Sequence, residues 1–416
     1  MNGNRNDTIN SAINSERIWT KDFIIATISG LFFSLVFYIT MTTFAVYAVT
    51  TYHVNESMAG LVAGVFVIGS ACGRLLSGRY VELVGRRKTV IFGAAGFFVI
   101  GLAYLIPVNI IAFLIIRFFH GAMFGIFHNA LVTVVTGIIP LSRRGEGMSY
   151  FSLNFVVATA FGPFIGLFFI HRFSYQALFV ACSVLALFAL ILILFMKIAA
   201  PVFTDEQFAA IQARHTIKDI FEKKAMPIAA IIFIMSICYT GVTAFLDSYT
   251  IELNMLSYAS VFFIVYGAVI IVVRPLAGKL LDQKGDNIVM YPAIIFYALA
   301  LLSVALTHNL VLLIIAAILM ALGYGNILTV GQVIAANAVP HHRISTATST
   351  YFVCNDLGMG FGPLLMGLIA AQQGFVPMYL IETGIVIVSL LLYYILHGKQ
   401  YANKKEMLCH EKKQLS

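Results

Sequence analysis

Stretches of about 18 or more predominantly apolar residues recur from one end of the chain to the other, each long enough to cross a hydrocarbon core of roughly 30 Å as a helix. A segment such as IAAIIFIMSIC (228–238) does not alternate, which argues against a transmembrane barrel. Backbone in contact with lipid must satisfy its own hydrogen bonds, and helices do so. The spans are placed at 23–49, 57–78, 89–107, 109–137, 147–171, 175–197, 226–250, 257–281, 288–307, 309–338, 344–372 and 376–397. With 60% hydrophobic and 11% charged residues, water is not the main solvent for such a surface. The expected fold is an all-α membrane protein of about twelve transmembrane helices.

Charge placement orients the spans. Of the 26 Lys and Arg residues, Arg74, Arg117 and Arg274 fall inside spans and only Arg172 falls in an outer loop once the amino terminus is set inside. That asymmetry is the positive-inside pattern, so the net charge of +8 is explained by topology, with both termini cytoplasmic and no nucleic-acid partner required. The polar first 22 residues lack the apolar core of a signal peptide and read as a tail (1–22). Cys72, Cys182, Cys238, Cys354 and Cys409 are scattered without a CxxC pair or nearby histidines, so neither a disulfide scaffold nor a metal site is expected. Residues 198–225 mix acids, bases and periodic apolar positions and read as a surface-lying cytoplasmic linker.

An internal repeat divides the rest. GRLLSGRYVELVGRR (73–87) and VRPLAGKLLDQKGDN (273–287) place Arg74, Gly78, Glu82 and Gly85 each 200 positions before Arg274, Gly278, Asp282 and Gly285. The same offset carries Pro140, Arg143, Gly162 and Pro163 onto Pro340, Arg343, Gly362 and Pro363, and Gly125 onto Gly325. Two similarly oriented six-helix halves follow, 23–197 and 226–397, with a carboxy-terminal tail at 398–416. Parallel repeats of this kind place the substrate site at their interface near the bilayer midplane.

On these residues the chain resembles the major facilitator superfamily over nearly its whole length, and within it the drug/metabolite:proton antiporter branch. GRYVELVGRRK (78–88) is similar to the family's loop signature of glycine, acid, glycine and a basic run, with Glu82 where an aspartate is usual and Tyr80 where a small aliphatic is usual. The resemblance implies a conformational gate comprising Arg74, Gly78, Glu82, Gly85, Arg86 and Arg87, with Gly278 and Asp282 as the second copy. RFFHGAMFGIFHN (117–129) is similar to the fourth-helix motif, with Arg117 in an apolar span and Gly121 following at four residues; the repeat does not keep the arginine, because position 317 is Ala317. NFVVATAFGPFIG (154–166) matches the exporters' fifth-helix motif only in part, with Ala158 and Leu167 where glycines are usual. Its Gly162–Pro163 pair, like Gly362–Pro363, kinks a helix and permits close packing, and both pairs are expected among the gating residues.

Ionisable groups inside spans are functional candidates by default. Asp356, twelve residues into the eleventh span and thus about 18 Å deep, ranks first for proton coupling, beside Asn355. Asp247 and Glu382 sit toward the outer ends of their spans, where an acid meets the interface, and Glu382 ranks below Asp247. Arg117 either tunes a proton-carrying carboxylate or anchors an anionic substrate, and His128 is either a proton relay or a buried hydrogen-bonded side chain. Cavity walls are expected to offer Phe33, Phe37, Tyr38, Asn129, Asn154, Tyr239, Tyr249, Asn326, Gln332 and Asn355, a set with aromatic surface and few polar anchors that suits a bulky amphipathic ligand.

No GxxxxGK[ST] loop or HExxH pair is present, so neither an ATPase nor an intramembrane metalloenzyme is indicated. The implied activity is secondary export of a small drug or metabolite by proton antiport through alternating access. It needs no cofactor beyond the proton gradient and is carried out by a monomer in the cell membrane. Proton-coupled uptake of a nutrient or organic acid is the alternative.

Overall fold

The computed structural model describes residues 17–54, 56–198, 220–255, 258–399 and 401, so most of the expected linker, most of both tails, and Cys409 lie outside the described residues. In chain order the helices are α1 (Lys21–Tyr52), α2 (Glu56–Val84), α3 (Arg86–Leu102), α4 (Ile110–Ile138), α5 (Arg144–Arg172), α6 (Tyr175–Leu194), α7 (Met226–Glu252), α8 (Tyr258–Lys284), α9 (Asp286–Ala305), α10 (Leu310–Leu322), α11 (Tyr324–Asn337), α12 (Ile344–Gln373) and α13 (Phe375–Tyr393). They make 12 spans apolar and long enough to cross a membrane, α10 and α11 sharing one, and no strand occurs among the described residues. The chain is a multi-pass all-α membrane protein.

Contacts divide it into two compact units, unit 1 comprising Met1–Phe221 and Pro340–Ser349, and unit 2 comprising Glu222–Val339 and Thr350–Ser416. Helix α12 therefore begins in unit 1 and continues in unit 2.

The 200-residue repeat reappears as geometry. Gly85 (φ 99°) and Gly285 (φ 93°) each form a one-residue turn between two helices, a left-handed conformation that a side chain would strain. Asn109 and Asn309 each cap a helix, accepting from the amides of Ala112 and Leu312 at 2.9 Å. Helix α6 buries Leu178, Phe179, Cys182, Ser183, Ala186, Ala189 and Ile193, and α13 buries Met378, Tyr379, Glu382, Thr383, Val386, Ser389 and Tyr393, the same seven positions 200 residues on.

In unit 1, α2 and α4 meet backbone to backbone. A Cβ added at Gly69, Gly73, Gly121 or Gly125 would collide with the carbonyl oxygen of Phe118, Ala122, Phe66 or Ser70 respectively. Two GxxxG faces are thus pressed together, the arrangement that lets helices associate where no hydrophobic force drives them. An aromatic core of Phe44, Tyr104, Phe113 and Phe179 closes one end of the unit.

The expected tenth span, 309–338, is not continuous. Gly323 (φ −86°, ψ −100°) separates α10 from α11, and an added Cβ there would come within 2.5 Å of the Tyr297 backbone nitrogen, so only glycine admits this approach. Asn326 Nδ2 donates to the Leu322 carbonyl at 2.9 Å and Arg274 Nε donates to the Gly325 carbonyl at 3.0 Å, so two side chains satisfy backbone groups at the break.

Candidate transport site

Arg117 lies on α4 and is completely buried inside unit 1. Its Nε donates to the Val62 carbonyl at 3.1 Å, Nη1 to Thr40 Oγ1 at 3.2 Å, and Nη2 to the Met41 sulfur at 3.6 Å. The guanidinium also faces the rings of Phe66 and Phe44, 4.7 and 4.9 Å from their centroids. None of these partners is a carboxylate, so neutral acceptors and aromatic quadrupoles hold the charge. One turn away, His120 stacks on Phe97 and meets Tyr104 Oη at 3.2 Å.

Near Arg117 a second layer of unit 1 carries the expected aromatics. Phe37 and Tyr38 are half-buried, and Phe37 stacks on Phe124 with centroids 5.1 Å apart. His128 is buried between Phe124 and Phe155. Asn154 accepts from Ser34 at 3.1 Å and donates to the Phe151 carbonyl, and Phe33 is wholly buried against Phe127. These side chains chiefly join helices of their own unit.

Unit 2 holds the first-ranked acid. Asp356 is half-buried on α12, with Asn355 Nδ2 at 3.4 Å from its Oδ1. Asn355 Oδ1 accepts from Ser236 at 2.9 Å and from Tyr324 at 3.5 Å. Tyr324 in turn stacks on Tyr239 with centroids 3.9 Å apart and planes 13° apart. A carboxyl, an amide and two hydroxyls thus line up beside a flat aromatic pair, a surface suited to an amphipathic ligand. Ser236 and Tyr324 were not among the expected cavity residues, although Ser236 stands one helical turn before Tyr239. Asp247 is exposed near the end of α7, Tyr249 is buried and donates to the Ala305 carbonyl, and Gln332 is buried on α11.

The first copy of the expected gate, Arg74 to Arg87, runs from α2 through the Gly85 turn into α3 in unit 1. Glu82 and Arg86 form a buried ion pair, 2.7 Å from Oε1 to Nη2, while Arg87 is exposed. Segment 340–349 lies against them. Ser349 donates to the Arg74 carbonyl at 2.7 Å, Thr346 to the Gly78 carbonyl at 2.9 Å and Ser345 to the Ser77 carbonyl at 3.4 Å. Asn129 Nδ2 bridges Ser77 and Ser345, and Arg86 Nη2 reaches the His341 carbonyl at 3.3 Å. A Cβ at Gly78 would come within 2.6 Å of the Ser349 Cβ, so only glycine admits this approach. The hydroxyl run STATST (345–350) was the sequence signal for this clasp. Elsewhere, Gly162 packs on Tyr38 and Gly362 on Thr240, each followed by a proline inside its helix. Gly278 is buried and Asp282 half-buried at the end of α8.

Glu382, ranked low from its depth in the sequence, is fully buried on α13, and neither carboxyl oxygen has a hydrogen-bond partner among the described residues. Its position 200 residues after Cys182 and its helical phase with Tyr379 and Val386 were the available signals.

Comparison with known proteins converges on one family. The sequence profile described as Major Facilitator Superfamily matches residues 26–311 and 257–408. An uncharacterised MFS-type transporter of Methanocaldococcus jannaschii is 25% identical over 346 residues, covering 80% of this chain and 87% of that protein. The multidrug resistance protein MdtG of Escherichia coli is 22% identical over 380 residues, covering 89% and 92%. Among solved structures, the human organic anion transporter MFSD10 superposes with a TM-score of 0.73 at 14% identity, covering 89% of this chain and 98% of that one. The proton:xylose symporter XylE superposes with a TM-score of 0.70 at 15% identity, covering 92% and 96%. The profile spans most of the chain, and the chain belongs to the major facilitator superfamily of transporters.

Proposed function

We propose that the protein is a secondary active transporter of the cell membrane, with both termini cytoplasmic, that exports a small amphipathic compound in exchange for protons by alternating access. The observation that carries this reading is the Asp356 cluster, where a half-buried carboxyl adjoins Asn355 and the stacked Tyr239–Tyr324 pair. Rings and a few polar groups favour an amphipathic cargo, and an acid in a span is the economical place to carry the counter-moving proton. The likeness to a multidrug resistance protein supports the same class of cargo.

Alternating access is carried by two halves, 23–197 and 226–397, joined by the 198–225 linker and acting as a monomer on the proton gradient alone. The clasp of segment 340–349 on α2, together with the Glu82–Arg86 pair, latches one conformation, and the Gly–Pro kinks at 162–163 and 362–363 give its helices places to bend. Uptake symport with Arg117 as the anchor for an organic anion is the second reading. Commitment of all three guanidinium nitrogens to Val62, Thr40 and Met41 weighs against a substrate-binding role for that residue.

Proteoliposomes containing the purified protein test the reading by substrate-induced proton flux across a panel of lipophilic cations and small organic acids. Proton movement opposite to a cation, lost in Asp356→Asn, is the expected result. Flux in the same direction as an organic acid replaces export with uptake, and opposed flux that survives Asp356→Asn removes this residue from coupling.

A further inference from the structure

Helix α13 contributes one charged residue to the interior of unit 2, and the surroundings of that residue are unusual. Glu382 is 0% exposed, and both carboxyl oxygens lack a hydrogen-bond partner among the described residues. The carboxyl rests on α7 at Gly241, where an added Cβ would overlap Oε1. Glycine at 241 therefore makes the space that the acid occupies.

Titratable groups surround it on three helices, and none offers a counter-charge. From α7, Cys238 Sγ lies 3.9 Å from the Glu382 backbone carbonyl, to which it donates. From α9, Tyr297 donates its hydroxyl to the Met235 carbonyl at 3.0 Å. On α13 itself, Tyr379 donates to the Gly241 carbonyl at 3.1 Å; beyond it lie Tyr249, bonded to the Ala305 carbonyl, and the acid Asp247. Every nearby phenol has already committed its proton to a backbone acceptor.

An ionised carboxylate in that position would have surrendered its hydration for no ion pair and no donor, the most expensive arrangement a buried charge can have. The neutral acid avoids that cost. Packing alone gives no reason for an acid, since the equivalent position of unit 1 is filled by Cys182. The comparison extends further: the partner of Glu382, Gly241, corresponds to Met41, whose sulfur receives a hydrogen bond from Arg117. The same stretch of the first helix of each unit thus meets a buried ionisable side chain, the hydrogen-bonded base Arg117 in unit 1 and the acid Glu382 in unit 2.

We propose that Glu382 is a proton-binding site, protonated in this arrangement and discharged when α7 and α13 separate enough to admit water. On discharge the acid O–H bond breaks, its electron pair stays on the carboxylate and the proton leaves on a water molecule. This rests on the proton-coupled reading above but is a separate site from Asp356, on a different helix of unit 2.

Infrared spectroscopy of the purified protein in liposomes reads the proton directly, and transport of the lipophilic cations and organic acids of the panel above reads its use. The carbonyl stretch of a protonated carboxyl is recorded as pH is raised, and assigned by its loss in Glu382→Gln and its displacement in Gly241→Ala, where the new methyl crowds Oε1. Expected are a Glu382 band that disappears at high pH, and gradient-driven transport that loses its pH dependence in Glu382→Gln. Absence of a Glu382 band, or a band with unchanged pH dependence of transport in Glu382→Gln, overturns the proposal. If Glu382→Gln does not fold, the Gly241→Ala shift alone assigns the band. Should the band titrate while the wild-type protein moves no proton with any compound, the proton site stands and the antiport reading falls.

Discussion

Arg117 combines three hydrogen bonds and two aromatic faces in one side chain, and lysine cannot reproduce that set. An ammonium is a point donor on a flexible stem, so Arg117→Lys leaves the Val62 carbonyl or Thr40 unserved and weakens the contact with Phe44 and Phe66. A loss of about 2 kcal/mol is expected from a desolvated cation–π contact and one buried hydrogen bond, seen as a lowered midpoint in thermal unfolding of the detergent-solubilised protein. An unchanged midpoint would assign Arg117 to transport alone. Arg117 was legible in the sequence because a charge in an apolar run stands out. Glu382 stands out equally, yet its burial was missed, because depth along a span says where a residue lies in the membrane and not which way its helix face points.

At the scale of helices, glycines divide into those that permit contact and those that do not. Gly73→Leu or Gly125→Leu drives a side chain into the backbone of the facing helix and separates α2 from α4, so the protein is expected to be lost from the monodisperse peak in size-exclusion chromatography. Gly384→Ala, with nothing within 4 Å of the added methyl, is expected to leave that peak intact and to raise stability by roughly 0.5–1 kcal/mol through helix propensity. Failure of this contrast would place α2 and α4 further apart than described. Element identity was readable from apolar length, and the turns at Gly85 and Gly285 from the repeat. The break at Gly323 was not, because Gly323, Gly325 and Asn326, residue types that end helices, stand inside one continuous apolar run long enough to read as a single span.

For the whole molecule, the distribution of basic residues predicts which loops face which compartment. Single cysteines substituted for Arg87 or Lys88 are expected to react with an impermeant maleimide only after the membrane is opened, and a cysteine at Arg172 to react in intact cells. The reverse pattern would invert the orientation proposed above. Repeat arithmetic on the sequence paired the turns at Gly85 and Gly285, while the matching caps Asn109 and Asn309 emerge only in the structure. What it could not deliver is the reassignment of 340–349, a piece of the second copy whose contacts belong to unit 1. That contact depends on the hydroxyls of Ser345, Thr346 and Ser349 meeting carbonyls of α2, and the hydroxyl run 345–350 marks the donors without marking the helix they meet.

The chemistry of that clasp sets its kinetics. Its hydroxyl donors are neutral, and the carbonyls they reach belong to an α-helix, so each contact is a supplementary bond worth about 0.5–1.5 kcal/mol. The one strong ion pair nearby, Glu82–Arg86, spans a single helix turn and need not break when the segment lifts. Lifting the segment would leave Arg86 paired with Glu82 but break its bond to the His341 carbonyl, one charge-assisted contact among the neutral ones. The rate of opening should respond weakly to ionic strength, and Thr346→Val, which keeps the shape and removes the donor to the Gly78 carbonyl, is expected to speed it. Gly78→Ala, which forces the surfaces apart, would leave the closed form rarely occupied.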